Sequence, residues 1–148
     1  MEIERKFKID VLPFDLNRYP CHLIEQGYLN TDPVIRVRRE DDYFYLTYKG
    51  RGLLAREEYN LPLNADAYAH LLAKSDGNII TKRRYLIPCA PYTIELDVFD
   101  PPFAPLVIAE VEFPDTKSAE AFTAPDWFGE EVTMDPSYHN SHLSRRII

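Results

Sequence analysis

Fourteen charged side chains, seven acidic and seven basic, recur two residues apart along segments that read as β-strands. The chain opens with Glu2, Glu4 and Lys6, and further on come Arg36/Arg38, Lys49, Arg56/Glu58, Lys82/Arg84, Glu95/Asp97 and Glu110/Glu112. In a strand, alternate side chains share a face, so each set projects to one side while its neighbours, such as Ile3 and Phe7 or Ile94, Leu96 and Val98, project to the other. Two carboxylates about 7 Å apart along a strand can hold a cation between them or repel each other. Pairs of arginine and lysine are equally suited to phosphate oxygens, arginine by a bidentate grip and lysine as a point charge.

An ordinary sheet with one wet face would explain the alternation. It would not explain why most of the acids and bases are sorted into same-sign pairs, since like charges side by side repel. Charged faces turned inward in a closed sheet account for the sorting, because confined charges must pair or meet a highly charged ligand. The bases would then hold an anion of high charge and the acids the divalent cations that bridge to it.

Strands are expected over 1–7, 34–38, 43–49, 54–61, 79–87, 93–99 and 106–113. Tyr43 to Lys49 is rich in aromatic and β-branched residues, and Lys49-Gly50-Arg51-Gly52 is a hairpin signal. A helix is expected from an Asn64 N-cap through Lys74, ended by Gly77, with Tyr68, Leu71 and Leu72 as its apolar stripe. Shorter helices are expected around 117–122 and 138–146, with a corner at Trp127-Phe128-Gly129. Strands joined by turns, with few helices and no βαβ alternation, indicate an α+β chain built on a curled or closed antiparallel sheet.

At 148 residues with 45% hydrophobic content, one domain spanning 1–148 with a substantial core is expected. A net charge of −7 argues against a general nucleic-acid or acidic-membrane binder. No leader-like basic and apolar run opens the chain, and no apolar stretch approaches the ~20 residues of a membrane span, so a cytoplasmic protein is expected. Cys21 and Cys89 do not suggest a disulfide framework and read as small buried residues. His139 and His142 read as solvent-facing, and Trp127 as a packing anchor. Gly50-x-Gly52 is a turn rather than a phosphate loop.

The opening Glu-Ile-Glu-Arg-Lys-Phe resembles the ExExK signature of the CYTH superfamily, the triphosphate tunnel metalloenzymes. Gln26-Gly27-Tyr28-Leu29, Arg36-Val37-Arg38, Leu46-Thr47-Tyr48-Lys49, Lys82-Arg83-Arg84-Tyr85, Glu95-Leu96-Asp97-Val98-Phe99, Ala109-Glu110-Val111-Glu112 and the 127–133 segment extend the resemblance over the whole chain. It implies an eight-stranded antiparallel barrel with flanking helices, and a small-molecule substrate bearing a linear triphosphate. Lys6, Arg36, Arg38, Lys49, Arg56, Lys82 and Arg84 would bind that substrate. Glu2, Glu4, Glu58, Glu95, Asp97, Glu110 and Glu112 would hold Mg²⁺ or Mn²⁺, with Lys82, Glu4 and Glu112 as catalytic candidates. Whether Lys82 or a carboxylate takes the proton stays open. Tyr28 reads as a core residue from its position, and the resemblance adds a place at the tunnel mouth as the alternative. One departure is visible: Asn60 occupies a slot that is usually acidic, leaving Glu58 as the acid of its strand. The implied activity is metal-dependent hydrolysis of inorganic or small organic triphosphate. The alternatives are a class IV adenylyl cyclase and a non-enzymatic polyphosphate- or nucleotide-binding module.

Overall fold

The computed structural model describes residues 1–146. Its strands are β1 (Glu2–Lys8), β2 (Cys21–Thr31), β3 (Val34–Glu40), β4 (Tyr43–Lys49), β5 (Ala55–Arg56), β6 (Glu58–Leu63), β7 (Asp76–Cys89), β8 (Tyr92–Phe99) and β9 (Val107–Glu112). The helices are α1 (Ala65–Leu72), α2 (Thr116–Ala121) and α3 (Asn140–Leu143). Every pairing is antiparallel, in the order β5-β1-β9-β8-β7-β2-β3-β4-β6.

The two outer members of that order are consecutive in sequence. Only Glu57 separates β5, which pairs with β1, from β6, which pairs with β4. One bent strand therefore joins both ends of the sheet and closes it into a barrel. The nine strands are the eight expected, with one divided at Glu57. β2 is a full strand of eleven residues, longer than its sequence signal around Gln26–Leu29.

β5 covers β1 only at Glu2 and Ile3. Beyond that point the later chain takes over. Val132 N–H donates to Lys6 O, Lys8 N–H to Glu130 O, and Gly129 N–H to Lys8 O, each at 2.8 Å. A Cβ on Gly129 would lie 2.6 Å from Lys8 O, so this approach admits only glycine. Arg5, on the outer face of β1, fastens the same segments. Its guanidinium forks onto Glu131 at 2.6 and 2.8 Å and donates to the carbonyls of Ala119 and Phe122.

Two apolar clusters follow from the alternation. Outward-facing Ile3, Ile87, Ile94, Leu96, Ala109 and Val111 pack with Phe113 and with Ala119 of α2. Phe14 and Trp127 meet at 5.1 Å over this side, so Trp127 is a packing anchor. The second cluster lies inside. Tyr28, Val34, Ile80, Phe99 and Ile108 continue the inner rows of their strands past the charged residues, and they pack with Phe103 and with Leu143 of α3. One end of the barrel is thus apolar and plugged, while the charged rows occupy the remainder.

Some local expectations are corrected. Asn64 caps α1 through Ala67 N–H at 2.7 Å, but the helix ends at Ala73. Lys74 and Ser75 close tight turns onto Leu71 and Leu72, and Gly77 lies within β7 rather than terminating the helix. The final helix is only Asn140–Leu143, preceded by a 3₁₀ turn at Pro136–Tyr138. Cys21 is exposed and Cys89 half-buried, because both sit at strand ends.

His139 is buried, not solvent-facing; of the pair, only His142 is exposed. The His139 Nε2–H donates to Thr133 O at 3.1 Å. Burial, with Lys6 nearby, pushes the imidazole down to about 4. The unfolded chain therefore binds a proton near pH 6.5 that the folded chain refuses until about pH 4, and stability is lost as pH falls through that window. Between pH 7 and pH 5, wild type should lose about 2 kcal/mol more stability in urea titrations than His139→Asn. Equal losses in the two proteins would refute this assignment.

Candidate active site

The barrel encloses a cavity of about 380 Å³, within the range of small-ligand sites. Twelve of the fourteen charged residues line it: Glu2, Glu4, Lys6, Arg36, Arg38, Lys49, Arg56, Glu58, Arg84, Glu95, Glu110 and Glu112. Tyr28, Tyr45, Glu40 and Asn60 contribute from the sheet, and Asn140 and Ser141 from α3.

Lys82 and Asp97 are the exceptions. Both have the inward parity, but both are 0% exposed and stand off the cavity wall. Their rows reach the apolar end of the barrel, where Lys82 is paired across the sheet with Phe99 and its amine lies 5.2 Å from that ring. Lys82 Nζ meets Asp97 Oδ2 at 2.6 Å and donates to Asn140 Oδ1 at 3.3 Å. Burial, opposed by Asp97, pushes this amine down to about 7. Lys82 and Asp97 thus form a buried ion pair beside the cavity, joined to its wall through Asn140 and Arg84.

Register decides how the charges pair. The same-sign sorting along most strands is offset by opposite-sign rungs between strands. Glu2 faces Arg56, Lys6 faces Glu110, Lys49 faces Glu58 and Arg84 faces Asp97. Lys6 Nζ lies 2.7 Å from Glu110 and 3.4 Å from Glu4. Lys49 Nζ bridges Glu2 at 3.0 Å and Glu58 at 3.3 Å. Arg84 grips Asp97 with two nitrogens at 2.7 and 2.9 Å, and reaches Glu95 at 3.0 Å and Glu110 at 3.5 Å. Burial alone would raise Glu110, but Lys6 and Arg84 hold it well below the usual carboxylate range.

What remains unbalanced defines the site. Among the described residues, Arg36 and Arg38 have no carboxylate partner. Arg36 donates through one terminal nitrogen to Thr47 Oγ1 at 3.0 Å, and its buried Nε has no hydrogen-bond acceptor. Arg38 Nε donates to Gln26 Oε1 at 2.7 Å, and its other end approaches Tyr45 Oη at 3.5 Å. Burial and the neighbouring Arg38 both disfavour the Arg36 charge.

β3 lies four strands from β9 around the closed barrel, so these two arginines face the acidic side of the lumen. There the carboxylates are in excess. Glu4 and Glu112 are direct cross-strand partners. Burial and Glu110 raise the Glu4 carboxyl. Partial burial, with Glu2 and Glu95 adding repulsion, pushes Glu112 up to about 7. Glu95 is also raised, by burial and against the pull of Arg84. Among the described residues no three acids stand preassembled in metal-ligating positions. The donors are nevertheless all hard oxygen atoms, and a divalent cation is what would relieve their mutual repulsion, so the set fits Mg²⁺ or Mn²⁺.

Sequence reasoning missed the neutral partners Gln26, Thr47 and Tyr45, and also Glu40, which shares the inner row of β3 and receives the Tyr45 hydroxyl at 3.4 Å. Strand parity alone would have placed Glu40 beside Arg36 and Arg38.

The CYTH domain model matches residues 1–144. An inorganic triphosphatase of Nitrosomonas europaea is 38% identical over 152 positions, covering 99% of this chain and 98% of that protein. One from Acetivibrio thermocellus is 40% identical over 126 positions, covering 82% and 79%. The crystal structure of an inorganic triphosphatase superposes with a TM-score of 0.73 at 34% identity, covering 99% of this chain and 96% of that one. Barrel, inner charges and near-full-length match agree: the chain belongs to the CYTH domain family.

Proposed function

We propose that this chain hydrolyses inorganic triphosphate inside the barrel, with the help of a divalent cation. The observation that carries this reading is the imbalance within the cavity. Two buried arginines without acid partners face a group of carboxylates whose ionisation is opposed by their own neighbours. A linear polyanion accompanied by a cation satisfies both sides at once. Two relatives named inorganic triphosphatases support the same reading.

Arg36 and Arg38 would take the phosphate oxygens, with Lys6, Lys49, Arg56 and Arg84 already held in position by carboxylates along the wall. Glu4 and Glu112, with Glu2, Glu95 and Glu110 beside them, would hold the ion. A bound Mg²⁺ or Mn²⁺ supplies charge neutralisation and Lewis acidity at the phosphates. Phosphoryl transfer asks mainly for positioning and electrostatic stabilisation, so no covalent nucleophile is required. Glu112 is the acid suited to accept a proton near neutrality, with its carboxyl at about 7. Lys82, off the cavity wall, is not assigned that step. Among the described residues no helix is long and apolar enough to cross a membrane.

Phosphorus NMR of the protein with triphosphate and with ATP, with and without Mg²⁺, tests the proposal. Orthophosphate and pyrophosphate from triphosphate, dependent on Mg²⁺, are expected. Cyclic AMP with pyrophosphate from ATP would identify a cyclase instead. Binding without turnover of either compound would leave a binding module.

A further inference from the structure

We propose that Asn60 is a positioning residue, whose uncharged amide holds Arg36 in place while leaving its charge free for the anionic substrate. The inference rests on the triphosphate reading above and extends it to a residue outside the charged set.

The geometry is a chain across three adjacent strands. Arg36, Thr47 and Asn60 occupy one cross-strand row, on β3, β4 and β6. Arg36 donates to Thr47 Oγ1 at 3.0 Å. The Thr47 hydroxyl, fully buried, donates to Asn60 Oδ1 at 2.6 Å. Asn60 Nδ2 then donates to Glu58 Oε1 at 3.0 Å, and Glu58 receives Lys49 at 3.3 Å. A hydroxyl carries one proton, so donation to Asn60 turns its lone pairs toward Arg36. An amide can be acceptor on one side and donor on the other, which is what this position requires.

A carboxylate of the same shape would meet only half of that requirement. It could accept from Thr47 but could not donate to Glu58, and it would set two like charges two residues apart on one face. It would also place a negative charge one hydroxyl away from Arg36, where it would compete with phosphate oxygens. Arg36 already carries a buried Nε with no acceptor. Neutrality at position 60 therefore keeps one base of the cavity uncompensated while every lysine on the wall is paired. Asn60 itself is exposed to the lumen, so replacing it does not disturb the core.

The test compares Asn60→Asp with Asn60→Leu, using steady-state hydrolysis of triphosphate and melting shifts with tripolyphosphate in the absence of divalent ion. Asn60→Asp should raise KM about tenfold with kcat little changed, since it removes binding shared by ground and transition states. It should also diminish the tripolyphosphate melting shift. Asn60→Leu, which breaks the link without adding charge, should raise KM less than about threefold. Equal effects from the two variants, or no effect from Asn60→Asp, would overturn the proposal. Wild type that neither binds nor hydrolyses triphosphate would overturn the functional reading as well, and that result is read before any variant is compared.

Discussion

Glu4→Ala should lower triphosphate turnover by roughly a hundredfold or more while leaving the melting temperature of the ion-free protein unchanged or raised. The loss of turnover follows from removing one of the two acids at the centre of the proposed ion site. The neutral or favourable effect on stability follows from the pairing. Lys6 has Glu110 at 2.7 Å as its principal partner and Glu4 only at 3.4 Å, so the truncation leaves no buried cation stranded. Burial and Glu110 raise the folded Glu4 pKa above its ordinary 4.5. With the folded value the higher, the contribution of this carboxyl to stability is full below the unfolded pKa and is lost as pH rises through the folded one. Near neutrality the ionised group is therefore a burden that alanine relieves. Turnover at saturating Mg²⁺ and thermal melts check both halves. Near wild-type turnover would remove Glu4 from the ion site, and a fall in melting temperature would make its contact with Lys6 structural.

The parity of Glu2, Glu4 and Lys6, and of the pairs that follow, was legible because a strand's period of two is strict. A curled or closed sheet with mostly same-sign charged rows turned inward was therefore readable from the chain. Depth along the barrel was not legible. Lys82 and Asp97 have the same parity as Arg84 and Glu95, yet they end at the apolar plug because neighbouring strands are staggered against one another. The opposite-sign rungs were hidden for the same reason, since Lys6 meets Glu110 across a separation of 104 residues. The divided strand was hidden too: nothing in Arg56-Glu57-Glu58 announces that its two sides pair with β1 and β4.

The neutral members of the site were harder still. Gln26 and Thr47 carry no charge pattern, and their importance arises only from what stands beside them in register. Gln26 lies opposite Arg38 and Thr47 opposite Arg36. Asn60 was noticeable only as an odd residue in an acidic slot, and its hydrogen bonds to Thr47 and Glu58 supply the physical reason. His139 was misjudged because a short terminal helix gives no usable periodicity, whereas its burial depends on the segment that completes the edge of β1.

Arg36→Ala and Arg38→Ala should both raise KM for triphosphate, by roughly tenfold to a hundredfold, but only Arg38→Ala should lower stability. A charge-assisted hydrogen bond is worth about 1.5–3 kcal/mol, which sets the range for KM. In the ligand-free protein the two arginines differ. Arg36 is a buried cation with an unpartnered Nε, disfavoured by burial and by Arg38, and Thr47 retains Asn60 as its acceptor when Arg36 is removed. Arg36→Ala should therefore keep or raise the melting temperature. Arg38 instead satisfies the Oε1 of fully buried Gln26 at 2.7 Å. Its removal leaves that oxygen unpaired at a cost of about 1–3 kcal/mol. Arg51→Ala is the control, since its 3.3 Å contact with Asp32 lies on the surface and such exposed pairs contribute little. Steady-state kinetics and urea titrations of the three variants decide the matter. KM shifts no larger than that of Arg51→Ala would show that the two arginines do not face the substrate, and equal destabilisation by Arg36→Ala and Arg38→Ala would show that Arg36 is held by more than Thr47.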